Sequence, residues 1–210
     1  MKDSRYVITG IGTDVGKTVV SSILCEVLQF DYWKPLQAGT QPQTDTQLVQ
    51  SLISESLTCH PEHDILKEPM SPHAAALLEG KDIDLNDIRI PHSDNGMIIE
   101  GAGGLMVPIN DRETYADLFK KWDIPVIVVS SFYLGSIHHT LSTIVCMQQL
   151  GIPLRGIVFN GETNTSSKKV ILEMTGVELL AEIPRLDEVH RDSIKDIAKE
   201  VAPSLTKKLA

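Results

Sequence analysis

Short, predominantly apolar runs rich in β-branched residues alternate with stretches whose apolar positions recur at helical spacing along almost the whole chain. The runs at 6–9, 32–34, 96–100, 125–130, 155–160 and 179–183 are too short for helices, and their polar residues fall mostly at the ends. They predict strands covered on both sides. Between them a 3.6-residue period predicts helices over 17–28, 44–53, 72–78, 114–122, 136–150, 166–173 and 193–201. Strand and helix in alternation predict an α/β fold, one domain over 1–210 with a mostly parallel central sheet and helices on both faces. Residues 54–95 are polar and rich in Pro and His, and outside 72–78 they predict no regular element.

In open α/β sheets ligands bind beyond the carboxyl ends of the strands. The first such end is the most telling. Val7-Ile8-Thr9-Gly10-Ile11-Gly12-Thr13-Asp14-Val15-Gly16-Lys17-Thr18 runs from an apolar strand through a glycine-rich turn into a helical pattern. That order builds a phosphate-binding loop, and with it a P-loop NTPase-like fold. Backbone N–H groups at the helix start face the anion, and the helix dipole favours its charge. Lys17 would reach the β- and γ-phosphates, and the Thr18 hydroxyl would ligate Mg²⁺. The common pattern places its first glycine at position 11, where this chain has Ile11 between Gly10 and Gly12.

Three further strand ends carry candidate chemistry. Lys34, followed by Pro35 and Gly39, either aims its charge into the same crevice or is an exposed surface lysine. Glu100, before Gly101-Ala102-Gly103-Gly104, supplies the carboxylate that a Mg²⁺ site needs opposite a phosphate loop; otherwise the segment is a flexible turn. Asn160, before Gly161, either reads an adenine edge or serves as a turn residue. Asp45 is a helix cap or a metal ligand. Cys59-His60-Pro61-Glu62-His63 has metal-like spacing but no second ligand pair, which favours a solvated loop. Leu134-Gly135-Ser136-Ile137-His138-His139 opens a helix and offers either a second anion-binding end or an ordinary first turn.

Composition narrows the partners. With 210 residues, 42% of them hydrophobic, there is material for one real core. A net charge of −9 and no basic run argue against nucleic acid and anionic membranes. The first residues show no apolar signal region, and no run is long enough to span a bilayer. Three cysteines without paired spacing predict reduced thiols in a cytoplasmic protein, Cys25 and Cys146 in core packing.

Together these segments resemble the dethiobiotin synthetases, from about Tyr6 to Leu186. The resemblance is carried by Gly12 through Thr18, Lys34-Pro35, Glu68-Pro69, Ser71-Pro72-His73, Glu100 through Gly104, Leu134-Gly135, Asn160 and Glu182-Ile183-Pro184. It implies a cyclo-ligase that converts 7,8-diaminononanoate, CO₂ and ATP to dethiobiotin, ADP and phosphate, through a carbamate and a carbamic–phosphoric anhydride. It further implies that Lys17, Lys34 and Thr13 act on the carbamate and the transferring phosphoryl group. Mg²⁺ would be held by Thr18, Asp45 and Glu100. ATP would be held by Asp14, Val15, Gly16, Lys17, Thr18 and Val19, by Glu100, Gly101, Ala102 and Gly103, and around the adenine by Asn160, Gly161, Pro184, Arg185 and Leu186. The diamine would meet Thr13, Lys34 and Ala38. Its carboxylate would dock on Leu134, Gly135, Ser136, Ile137 and His138 of a neighbouring copy, so that the active site implies a homodimer. Members often have Ser or Thr where Ala38 stands, Asn where His138 stands, and in some cases Glu where Asp14 stands.

Two other classes share the loop. Partner-switched partitioning ATPases place a second lysine near its start, and Ile11-Gly12-Thr13 has none. Amide-forming synthetases of the cobyrinate type carry a glutamine-hydrolysing domain for which 210 residues leave no room.

Overall fold

The computed structural model describes residues 4–209, so Met1–Asp3 and Ala210 of the expected 1–210 domain lie outside the described residues. In chain order the elements are β1 (Arg5–Gly10), α1 (Lys17–Leu28), β2 (Asp31–Trp33), β3 (Leu36–Ala38), α2 (Asp45–Leu52), β4 (Cys59–His60), β5 (Asp64–Leu66) and α3 (Pro72–Leu78). They continue with β6 (Met97–Gly104), α4 (Tyr115–Trp122), β7 (Val126–Ser130), α5 (Ser136–Leu150), β8 (Leu154–Asn160), α6 (Thr165–Thr175), β9 (Leu179–Ile183) and α7 (Arg191–Leu209).

Among the described residues seven strands form one sheet in the order β4-β2-β6-β1-β7-β8-β9, with parallel pairing throughout. The expected α/β architecture is therefore borne out. β1 and β7 are almost wholly buried, as strands covered on both faces must be. Helices α1, α2 and α7 pack together on one face, and α4, α5 and α6 on the other. β1 lies at the centre of the order, so its carboxyl end opens in the middle of the sheet edge, where the phosphate loop leaves it.

The middle of the chain departs from the expectation. β3 pairs with β5 in a separate two-stranded parallel sheet, with α3 packed against both. Cys59 and His60, expected in a loop, form β4 at the edge of the main sheet. The glycine run 101–104, expected to lie beyond the strand's end at 100, continues β6 up to the pair Gly10↔Gly104, so Glu100 lies within a central strand. Cys25 is fully buried, whereas Cys146 is half-buried, its Sγ 3.7 Å from Met106 Sδ. α7 runs eight residues beyond the expected end at 201, through Pro203. Tyr6 Oη donates to the Leu209 carbonyl at 2.6 Å and fixes the far end of that helix on β1.

Candidate active site

The phosphate loop is shaped by backbone conformations that few residues tolerate. Gly16, at the start of α1, has φ 87°, and a Cβ there would collide with the Asn160 side-chain amide. Asn160 Nδ2 donates to the Val15 carbonyl at 3.1 Å, which ties the end of β8 to the loop. Asp14 is also left-handed, at φ 57°, a conformation aspartate enters more readily than most side chains. Lys17 is buried and donates to the Gly12 carbonyl at 3.0 Å. Burial holds its ammonium below the ordinary lysine value; Glu100 offsets part of that shift and the nearby charge of Lys34 adds to it.

Behind the loop an acid–base cluster converges from four elements. The Thr18 hydroxyl, in the first turn of α1, lies 3.0 Å from Glu100 Oε1 on β6 and 3.2 Å from Asp45 Oδ1 at the start of α2. Thr44 caps α2 through a capping box with Gln47, which sets where Asp45 begins the helix. Lys34 follows β2 directly. Its Nζ pairs with Asp45 Oδ2 and lies 3.6 Å from Glu100 Oε1. Pro35 has no N–H to extend the β2 ladder, and the chain leaves for β3 just past Lys34. Burial pulls the Lys34 ammonium down, but Glu100 and Asp45 push it up further and leave it above the ordinary lysine value. The cluster holds two ammonium groups and two carboxylates, so its formal charges cancel. A polyphosphate entering it brings charge that a further cation would offset. A hydroxyl and two carboxylates are hard oxygen donors, the set that suits Mg²⁺.

Two buried neutral residues hold this cluster that sequence reading did not single out. Tyr32 Oη donates to Glu100 Oε2 at 3.1 Å, with both residues fully buried. Burial and the Glu100 charge push the Tyr32 phenol well above the ordinary tyrosine range. Gln37 Oε1 accepts from the Asp45 backbone N–H at 3.3 Å, while its Nε2 donates to the Gly39 carbonyl at 2.7 Å. Neither has a motif; period-two alternation from Glu100 to the Ile98↔Tyr32 pair was the one available signal for Tyr32.

The cluster opens into a cavity of about 560 Å³. Of the expected residues Thr13, Asp14, Gly16, Lys17, Thr18, Lys34, Ala38, Asp45, Glu100, Ala102 and Gly103 line it. Ala38 brings a methyl group to the lining. Gly103 has φ 63°, and a Cβ there would press on Val107. The other wall, missed from sequence as a site, is the segment Pro69 to Pro72 with Val107; Ser71 Oγ is held 2.9 Å from His73 Nδ1. Gly101 instead faces Phe119 inside the sheet, and Val15, buried beneath the loop, and Val19 stay out of the lining. Asn160, Gly161 and Pro184-Arg185-Leu186 come together through the β8–β9 pair Asn160↔Ile183, beside the loop and outside this cavity. Leu134 to His138 form the start of α5, also outside it, with Leu134 fully exposed. A second cleft of about 710 Å³ runs between the end of α3 and residues 109–113 and has none of the expected site residues.

This sheet, with a phosphate loop at its centre and lysines and carboxylates behind it, defines a nucleotide-binding protein of the P-loop class. The chain matches the model of a family described as an AAA domain over residues 4–193. It is 45% identical over 207 residues to the ATP-dependent dethiobiotin synthetase of Cytophaga hutchinsonii, covering 98% of this chain and 96% of that one. It is 42% identical to the enzyme of the same name from Christiangramia forsetii, covering 97% of each chain. The chain belongs to the dethiobiotin synthetase family. Among solved structures it is similar to a ParA family ATPase from Chlorobium tepidum, with TM-score 0.58, 13% identity and coverage of 100% and 98% of the two chains. It is also similar to the septum site-determining protein MinD from Pyrococcus horikoshii, with TM-score 0.56, 13% identity and coverage of 100% and 95%. At that identity the likeness is one of fold.

Proposed function

We propose that this chain is an ATP-dependent cyclo-ligase that makes dethiobiotin from 7,8-diaminononanoate and CO₂ in the cytoplasm. The observation that carries the reading is the convergence of Lys17, Lys34, Thr18, Asp45 and Glu100 on one cavity at the end of the phosphate loop. The names of relatives at 45% and 42% identity over nearly the whole chain support it.

The chemistry follows from charge and position. The lone pair of one substrate amine attacks the CO₂ carbon; the N–C bond forms, one C=O π pair moves onto oxygen and the amine proton passes to solvent, giving a carbamate that Thr13 and Lys34 hold at the mouth of the loop. A carbamate oxygen attacks the γ-phosphorus; the new P–O bond forms as the bond to ADP breaks, and Lys17 and Lys34 meet the charge that develops. The second amine then attacks the carbamoyl carbon. The ring N–C bond forms, the C–O bond to phosphate breaks, and the amine proton is released. Thr18, Asp45 and Glu100 would hold Mg²⁺, which would neutralise phosphate charge at the site. Asp14 to Val19 cradle the phosphates, and Asn160 with 184–186 holds the adenine. The start of α5 in a second copy takes the substrate carboxylate, so the working unit is a homodimer.

The test is phosphate release from Mg·ATP with and without 7,8-diaminononanoate and bicarbonate, with the product identified by mass. Release that needs both additions and yields dethiobiotin is expected. Release indifferent to the diamine overturns the reading and favours a partner-switched ATPase.

A further inference from the structure

We propose that Tyr32 is a positioning residue for Glu100: it fixes one carboxylate oxygen so that the other is turned toward the cation and the phosphates. The inference rests on reading Thr18, Asp45 and Glu100 as a Mg²⁺ site.

The register brings the two side chains together on one face of the sheet. β2 and β6 run parallel with Tyr32 opposite Ile98. Side chains alternate along a strand, so Ile98 and Glu100 share a face, and the phenol of Tyr32 reaches one pleat further to Glu100. Both residues are fully buried, and the bond from Tyr32 Oη to Glu100 Oε2 is 3.1 Å. Oε1 is the oxygen that meets Thr18 Oγ1 at 3.0 Å and Lys34 Nζ at 3.6 Å. The division of labour is complete: one oxygen to the structural donor, one to the site. Without the phenol, Oε2 would sit in an apolar layer with no donor, and rotation of the carboxylate toward Lys34 would relieve it. That rotation would take Oε1 from Thr18. Outer partners of metal-binding carboxylates characteristically act by fixing orientation, and losing one weakens the metal about 10- to 100-fold.

The test is Tyr32→Phe, which keeps the ring and removes the donor. Mn²⁺ serves as a paramagnetic stand-in for Mg²⁺, and its binding to the ADP complex is read by electron paramagnetic resonance. The expected result is Mn²⁺ binding at least about tenfold weaker, with metal-free ADP affinity within about twofold and a rise in the Mg²⁺ concentration needed for half-maximal turnover. Tyr6→Phe is the control. It deletes another buried tyrosine bond, to the Leu209 carbonyl, remote from the site, and should lower the melting temperature with Mn²⁺ affinity unchanged. Equal Mn²⁺ affinity in Tyr32→Phe and wild type overturns the inference. If wild type binds no Mn²⁺ with ADP, the metal site falls and the inference with it. Wild type that binds Mn²⁺·ADP tightly but makes no dethiobiotin sinks the ligase reading alone. Should Tyr32→Phe not fold, 3-fluorotyrosine at position 32 gives the same decision: its ¹⁹F resonance is expected to shift when Mg²⁺ joins the ADP complex, and a static resonance counts against the contact.

Discussion

Lys34 is the residue on which the proposed chemistry leans most. Its ammonium is buried between Asp45 and Glu100, whose charges hold it protonated throughout the neutral range. Lys34→Ala is expected to lower kcat by about 10²–10³-fold, the scale of losing one fixed charge at a reacting centre. A cooperative melt would show that the variant still folds, and wild-type turnover would refute the role. Gly16 presents a separate test. Alanine there must adopt φ 87° and displace the Asn160 amide. Gly16→Ala is expected to weaken ADP binding by at least about tenfold, since roughly 1–2 kcal/mol of left-handed strain adds to the loss of the Asn160–Val15 tie. Calorimetric titration with ADP reads it directly. Residues such as Lys17 and Thr18 were legible because the loop motif is contiguous. Lys34 was ambiguous until the family resemblance, because one lysine after a strand has no distinctive spacing. Tyr32 and Gln37 carried no motif: their partners lie 68 and 8 residues away, the Tyr32 alternation becomes visible only once the β2–β6 register is known, and an ordinary buried Tyr or Gln looks the same in sequence.

At the scale of elements, the main sheet strands were legible as short apolar, β-branched runs, and the helices by their 3.6-residue period. β3, β4 and β5 were not, since their two or three residues mix polar with apolar side chains and form no apolar run. The end of α7 was hidden by Pro203, which costs a helix interior about 3 kcal/mol in isolation. Burial of Leu205 and Leu209 and the Tyr6 bond offset that cost. Asp31 shows how the short strands are held. Its carboxylate, buried at the start of β2, accepts from the Thr58 N–H at 2.8 Å, Ser93 Oγ at 2.6 Å and Asn95 Nδ2 at 3.2 Å. Burial alone would raise its pKa; those donors, with His60 beside it, outweigh burial and leave it below the ordinary carboxylate value. A depressed folded-state pKa means that the bound, ionised form stabilises the fold above the unfolded value of about 3.9, and that this stabilisation fades as pH falls through the folded value. Asp31→Asn is therefore expected to lose about 1–3 kcal/mol at pH 7. The gap to wild type should close below about pH 4. Urea melts at several pH values measure it, and a gap that persists in acid would show that the charge is not what Asp31 contributes.

At the scale of the whole molecule, the proposed reaction draws on two chains. The cavity of one copy is walled by the phosphate loop, β6 and residues 69–72, and the expected carboxylate dock at the start of α5 does not reach it. That same helix turns an unpaired apolar stripe outward. Ile137 and Val145 are 36% and 49% exposed, Leu141 lies between them at four-residue spacing, and Leu134 projects fully at the end. Met106, exposed beside Cys146, widens the patch. Exposed apolar groups gathered in this way are what a second copy would cover, and covering them with α5 would carry the start of that helix toward a neighbour's cavity. Val145→Lys puts a charge in the stripe without touching the buried side of α5. On the proposed homodimer it is expected to shift the protein from dimer to monomer in sedimentation velocity, and to raise KM for the diamine at least about tenfold as the proposed carboxylate dock is lost, an ion pair or its equivalent worth at least about 1.4 kcal/mol. Metal-free ADP binding should be unchanged, because the loop belongs to one chain. A monomeric wild type with full turnover would mean that the diamine is held within a single copy, and the start of α5 would then have no part in the site.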